Sequence, residues 1–382
     1  MIKANSVVIT GIGVVSPLGN NIDTLWDNLL NGKTAVKHCN DLEMAGYRNT
    51  RVCRVLDFEA PGLTRGQAMA QYATAQAILN AGITLPENTG VFLGSTLGES
   101  MAFEMAAEGE NINLSEYNTY SLAKSVSAGY SLKGAVIALS TACTAGNYAV
   151  GAAMNAIQNG EVTAAIAGGV EPFSRMAMVG FSRSRAMASD ACKPFDAERN
   201  GMILGEGAAF FVLEKLEDAI TRGANPLVIV HSLGLSCDAY HPTAPHPDGR
   251  GLAAAIRSAF TLAGMENPKT DWVNIHGSGT VLSDAAEAFA LKDVFGEHMP
   301  VLSGSKGAIG HALGAASALE LAICIKGIIT ETIPPTPGHS IKDGKIGLSC
   351  TTEPVHKKIH TVVNSSSAFG GLNAALLIGA YS

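Results

Sequence analysis

The chain has 382 residues, of which 47% are apolar and only 15% charged, so it must bury a large core and is long enough for two domains of ordinary size. A formal charge of −7 argues against broad affinity for nucleic acid, which needs clustered cations against phosphate, and leaves room only for a local basic patch facing an acidic protein. The positive mean hydropathy, +0.20, raises the question of a membrane, yet no run approaches the roughly 18–20 uninterrupted apolar residues that a span requires.

Taken in chain order, the first half alternates β-rich runs with alanine-rich stretches. VVITGIGVV (7–15), GVFLGSTLG (90–98), AVIALSTACTAG (135–146) and AAIAGGVE (164–171) read as strands ending in glycine-rich turns. Between them, TRGQAMAQYATAQAILNAG (64–82) and NYAVGAAMNAIQNG (147–160) read as helices, and AAFFVL (208–213) is a further strand-sized run. The second half repeats the style. LVIVHSLGLS (227–236), VNIHGSGT (273–280), VLSGSKGAIGH (301–311) and TVVNSSSAFGGLNAALLIG (361–379) are its strands, with helices at LAAAIRSAFTLAG (252–264) and DAAEAFALKDVF (284–295). The alternation implies βα units with buried sheets. The echo predicts two similar α/β domains, 1–220 and 221–382, packed face to face. Ligands in such folds bind at the carboxyl ends of strands, where the glycine-rich motifs fall.

The seven cysteines are an odd number at scattered positions, without CxxC or HExxH, so neither a disulfide framework nor a structural zinc is expected. The opening MIKANSVVITGIGVV lacks the continuous apolar region of a signal peptide, and a cytoplasmic setting is the expectation.

Four motifs carry possible chemistry. STACTAG (140–146) places Cys143 at a strand-to-helix bend, where helix dipoles favour the thiolate; the same thiol reads equally as a buried core cysteine. IHGSGT (275–280) sets His276 at a strand end with the hydroxyls of Ser278 and Thr280 beside it, though a lone histidine is more often structural. SKGAIGH (305–311) supplies Lys306 and His311, the lysine either tuning the histidine, binding a carboxylate or simply lying on the surface. NSSSAFGGLNA (364–374) ends a strand in a glycine-rich turn whose backbone N–H groups suit an oxyanion. Together they supply what thioester acyl transfer needs: a sulfur nucleophile, oxyanion donors and proton-handling groups.

Nearly end to end, the chain resembles the β-ketoacyl-acyl-carrier-protein synthases, elongating ketosynthases of type II fatty-acid and polyketide systems on the thiolase fold. The resemblance runs through VITGIGVVSPLGN (8–20), STAC (140–143), KPFDAERNGMILGEGAAFFVLEKLEDAITRGA (193–224), DAYHPTAPHPDGRG (238–251), HGSGT (276–280), DAAEA (284–288), KGAIGHALGAAS (306–317) and NSSSAFGGLNA. It implies a layered α-β-α-β-α body. It implies Cys143 as nucleophile, His276 and His311 as its catalytic partners, Lys306 and Glu287 as the family's lysine and acidic residue, and the amides of Cys143 and Phe369 as the oxyanion hole. Ser278 and Thr280 would meet the phosphopantetheine arm. The implied reaction is a decarboxylative condensation between a Cys-bound acyl chain and malonyl carrier protein. No metal or organic cofactor is expected, since the carrier brings its own pantetheine.

Three positions depart from the family pattern. Ser278 stands where threonine is usual. In the last motif Ser367 replaces the first, gate-forming phenylalanine beside Phe369, and Leu372 replaces a threonine. The smaller gate suggests a specialised polyene or polyketide pathway. Competing readings are a thiolase-type enzyme on coenzyme A thioesters, a cysteine hydrolase, or a chain-length factor. The last lacks the nucleophile that this chain keeps. Expected partners are acyl-carrier and malonyl-carrier proteins, with Arg183, Arg185, Lys124 and Lys133 as candidate contacts, and a second synthase-like subunit in a homodimer or heterodimer.

Overall fold

The computed structural model describes residues 5–56, 58 and 63–381, so residues 1–4 of the opening segment lie outside it. The first half supplies strands β1 (Val7–Val15), β2 (Thr89–Gly94), β3 (Val136–Leu139), β4 (Ala164–Glu171) and β5 (Gly207–Lys215). The second supplies β6 (Val228–Cys237), β7 (Trp272–Asn274), β8 (Val301–Ser303), β9 (Thr361–Ser367) and β10 (Leu372–Ala380).

The first five pair in the order β1-β5-β4-β2-β3 and the second five in the order β6-β10-β9-β7-β8. Each step has the same sense in both: two antiparallel pairings, then two parallel ones. The echo seen in the sequence is therefore a repeated topology. The two arrays join into one ten-stranded sheet through a short antiparallel contact, Val7–Ile9 of β1 against Val228–Val230 of β6.

Helices cover both faces, which is why strands such as β1, β4 and β5 are apolar at consecutive positions and not at alternate ones. Outside the first array lie α1 (Arg65–Ala81) and α2 (Thr119–Gly129). A capping box of Thr64 and Gln67 starts α1, and Gly82 in the left-handed region (φ 57°) ends it. Its alanines press onto β1 so closely that a Cβ at Gly13 would lie 1.8 Å from the Ala73 carbonyl oxygen. Glycine is required there.

Between the two arrays run α3 (Ala145–Gln158) and, later in the chain, a second central helix at Ala316–Thr330. The helix α4 (Arg175–Arg183) lies beside the site, while α5 (Arg250–Ala263) and α6 (Val281–Phe295) cover the second array. The Ala316–Thr330 helix is α7. The layers are those expected: helix, sheet, helix, sheet, helix. The stretch Leu313–Thr330 is apolar enough to cross a bilayer, but 83% of it is buried inside the protein and it carries the buried charge of Glu320, so it is a core helix.

Candidate active site

The chain leaves β3 at Leu139 and turns through Ala142, a non-glycine residue at φ 51°. Such a conformation costs about 1–3 kcal/mol and persists only where surrounding structure fixes it. A short 3₁₀ turn, Ala142–Thr144, then delivers Cys143 to the start of α3. The heads of α3 and α7 cross here. A Cβ at Gly146 would sit 2.7 Å from the Ala318 nitrogen, and the Asn147 amide donates to the Ser317 hydroxyl at 3.0 Å.

Cys143 is 8% exposed, at the floor of a cavity of about 290 Å³. The same cavity is lined by His276, His311, Ser278, Thr280, Ser367 and Phe369. Seven residues singled out in the sequence thus meet in one place, drawn from both halves of the chain.

One expectation is corrected. Burial pushes the Cys143 thiol up to about 12, against a smaller opposing pull from Lys306. Loss of solvation outweighs the helix terminus and the lysine, so Cys143 rests as a thiol, and its attack on an acyl group requires a proton acceptor.

The two imidazole rings stand edge to face, with centroids 5.3 Å apart and planes at 78°. Burial first, then the charge of Lys306, holds both well below the usual histidine range; for His276 the neighbouring His311 adds to this. Both rings are neutral at pH 7. The Leu313 amide donates to His311 Nδ1 at 3.2 Å, which fixes the proton on Nε2 and makes that atom a donor. His276 Nδ1 is buried without a partner among the described residues, so no protein group locks its tautomer through that atom.

Lys306 and Glu287 act behind the cavity wall and do not line it. Lys306, 1% exposed, donates to the His276 carbonyl oxygen and to Glu320 Oε1, each at 2.5 Å. Of its sequence alternatives, two are realised, carboxylate binding and electrostatic tuning of the histidines, and the surface position is not. Burial pushes its partner Glu320 up to about 7, with Lys306 pulling the other way.

Glu287 Oε1 accepts from the His276 amide (2.7 Å) and the Ser365 hydroxyl (2.7 Å), and Oε2 accepts from the Gly277 amide (2.9 Å). It is a positioning residue that shapes the turn carrying His276. Beyond that turn the Ser278 and Thr280 hydroxyls share a 2.9 Å hydrogen bond at the cavity wall.

In the last motif, Ala368, Gly370 and Gly371 donate their amides to Leu372, Pro242 and Ala368 carbonyls. The amides of Phe369 and Cys143 have no protein acceptor among the described residues, leaving two backbone donors at one cavity. The Phe369 ring, 39% exposed, tilts against Phe181 at 5.5 Å, and the Ser367 hydroxyl donates to Asn373 Oδ1 at 2.8 Å.

Of the candidate partner-binding cations, Arg185 lines the cavity mouth, whereas Lys133 is bound to Glu87 at 3.0 Å near the start of β3, the end opposite Cys143. Arg183 and Lys124 are exposed. Sequence reasoning missed Glu320 and Ser365. A lone glutamate inside the apolar run SALELAICI was the available signal for the first; Ser365, one polar residue among several, gave none. Among the described residues no group of acidic, histidine or cysteine side chains is disposed to hold a metal ion.

Comparison with known proteins adds the following. Residues 4–219 match the model of the beta-ketoacyl synthase N-terminal domain, and residues 227–340 that of the C-terminal domain. A relative from Coxiella burnetii, 3-oxoacyl-[acyl-carrier-protein] synthase 2, is 34% identical over 97% of this chain and 98% of its own. Among solved structures, the ishigamide ketosynthase/chain length factor superposes with a TM-score of 0.94 at 35% identity, over all of both chains. AntDE:AntF, a type II polyketide acyl-carrier protein in complex with its ketosynthase bound to the hexaketide, superposes at 0.93 with 26% identity, again over all of both chains.

Proposed function

Because the chain belongs to the beta-ketoacyl synthase family and is a condensing enzyme, we propose that its reaction proceeds through an acyl group held on Cys143. The observation that carries this reading is the meeting of Cys143, two neutral imidazoles and two unpaired backbone amides at one cavity.

The cycle has three steps. Cys143 sulfur attacks the thioester carbonyl of an acyl-carrier protein; its proton passes to His276, whose Nδ1 has no partner among the described residues, and then to the departing pantetheine thiolate. The oxyanion formed on the way is held by the Cys143 and Phe369 amides. Malonyl carrier protein then enters. Its carboxylate-bearing C–C bond breaks, carbon dioxide leaves, and the electron pair moves into the thioester carbonyl to give an enolate. His311, with its proton fixed on Nε2, donates to that enolate oxygen. The enolate carbon attacks the Cys143 thioester, the C–S bond breaks, and the thiolate recovers a proton. Decarboxylation supplies the carbon nucleophile, so the cycle needs neither a strong base nor a metal or organic cofactor. Ser278 and Thr280 present hydroxyls to the pantetheine arm.

The acyl carrier protein is the partner, as it is for AntDE:AntF. The outer edge of β3 ends the sheet and exposes 39% of Ile137, which supports pairing with a second synthase-like subunit there. All seven cysteines are free, in keeping with a reducing, cytoplasmic setting.

The serine at 367 supports a specialised acyl chain over housekeeping elongation, and the likeness to polyketide ketosynthases runs the same way. Ser367→Phe, assayed against a panel of acyl-carrier proteins, tests this. The reading expects lost turnover of the longer native chain and retained turnover of short ones; an unchanged chain-length profile would sink it.

A further inference from the structure

Three asparagines buried near the Cys143 turn take no part in the cycle: Asn147 on α3, Asn364 on β9 and Asn274 on β7, none more than 1% exposed. Asn147 stands one turn along from Cys143. Its Nδ2 donates to the Asn364 carbonyl oxygen at 3.1 Å and to the Ser366 hydroxyl at 3.0 Å, and its Oδ1 accepts from Asn364 Nδ2 at 2.9 Å. Asn364 Nδ2 also donates to the Ser317 carbonyl oxygen of α7 at 2.8 Å, and Asn364 Oδ1 accepts from Asn274 Nδ2 at 2.9 Å. The backbone carbonyls can only accept, so they fix which way both carboxamides face, and both N–H groups of each are used.

A second observation concerns α3 itself. Thr144 at its N-cap makes no side-chain hydrogen bond, and the first-turn amide of Asn147 is satisfied from another helix, by the Ser317 hydroxyl at 3.0 Å. The start of α3, just past the strained Ala142, is therefore held from outside by α7 and β9. A leucine of similar volume would fill the space that Asn147 occupies. A satisfied carboxamide network does more, because it fixes distance and direction where apolar packing is tolerant.

The elements joined in this way carry the reacting groups. The Cys143 amide lies just ahead of α3, and β9 runs through Ser366 to the turn that bears the Phe369 amide. Strand β7 ends at Asn274, two residues before His276.

We propose that Asn147 and Asn364 are positioning residues for the oxyanion hole: their paired carboxamides lock the start of α3 to β9 and so fix the spacing of the Cys143 and Phe369 amides, two donors that must reach one oxygen. This rests on the reading of Cys143 as the acyl-bearing residue and adds what holds its donors in place. Misplacement of reacting groups by about 1 Å costs about 100-fold in rate, and loss of one oxyanion donor about 100- to 1,000-fold.

The test compares two reactions of the same thiol. Acylation by an acyl-carrier protein passes through an oxyanion. Alkylation by iodoacetamide expels iodide from a saturated carbon and forms none, although it needs the same sulfur and a proton acceptor. Both rates are read by mass spectrometry of the peptide bearing Cys143, with melting curves on every variant. In Asn147→Leu and in Asn364→Leu, acylation should fall about 30- to 100-fold while alkylation stays within about three-fold of wild type. The double variant should be no more than about three-fold slower than the slower single, because the two carboxamides act as one unit. Asn147→Ser, smaller and still polar, should show the same split and frees the comparison from how well leucine packs. Acylation within about three-fold of wild type in all variants would overturn the proposal, as would an equal fall of both rates in a variant that keeps the wild-type melting temperature. A wild-type enzyme that is alkylated at Cys143 yet accepts no acyl group from any carrier would sink the acyl-enzyme reading itself, and the proposal with it.

Discussion

Replacing Lys306 with methionine separates the roles assigned to the buried pair. Lys306 and Glu320 are each 1% exposed and 2.5 Å apart, and the same ammonium binds the His276 carbonyl. Methionine keeps the length of the side chain and removes the charge, leaving Glu320 Oε1 without its donor while Oε2 already has no partner among the described residues. Breaking a buried pair in this way costs about 3–5 kcal/mol. Burial already pushes Glu320 up to about 7, so without the lysine it takes up a proton, which puts the cost near the lower bound, about 3 kcal/mol. Glu320→Gln removes a group that is half protonated at neutral pH and leaves Lys306 two acceptors, so it should cost only about 1–2 kcal/mol. The double variant loses both charges and should cost less than the sum of the singles by at least about 1 kcal/mol. Urea melts followed through buried Trp272 give these values, provided the slopes stay constant. Additivity within about 0.5 kcal/mol would refute the claim that the two charges are one unit.

Other consequences follow from the same geometry. The proton that Glu320 binds in the folded state stabilises the protein below its usual 4.5, and that stability is lost as pH rises through about 7; Glu320→Gln should remove this decline, seen as a flatter urea midpoint between pH 5 and 7.5. Both histidines stay neutral well below 6.5, so malonyl decarboxylation should hold its rate from pH 8 to 6, and a loss of activity centred near 6.5 would contradict their assigned state. Glu287→Gln must turn an amide NH₂ toward donors that now meet carboxylate oxygen, so kcat should fall about 10- to 100-fold with KM for the malonyl thioester little changed. A rise in KM at constant kcat would instead place Glu287 in substrate binding.

Much of the site was legible because its chemistry sits on strand ends marked by glycine. Cys143, His276, His311 and Phe369 each lie where an apolar run gives way to small residues, and the fold brings all four to one cavity. The helix α1 was equally plain, bounded by Thr64 and Gly82. Helix α7 was not: with Ala316–Cys324 all buried it has no polar face, and a helix apolar on every side carries no 3.6-residue period to read. The strands before His276 and Lys306 proved short, ending at Asn274 and Ser303: the His276 and Gly277 amides go to Glu287, and the Gly304 amide goes to the Thr336 hydroxyl ahead of the helical turn Lys306–Ile309. The resting state of Cys143 was misjudged for a related reason. A helix start is visible in sequence, whereas the desolvation that overrides it appears only once α3 and α7 have packed together.

The central claim is that Cys143 carries the acyl group through a decarboxylating condensation. Intact-protein mass spectrometry after incubation with a panel of acyl-carrier proteins, followed by malonyl carrier protein and measurement of carbon dioxide, tests it directly. The account predicts a mass increase of one acyl group that maps to Cys143, is absent in Cys143→Ala, and disappears as carbon dioxide and a β-ketoacyl carrier form together. Acylation at another residue, or loss of the acyl group as free acid with no carbon dioxide released, would contradict it.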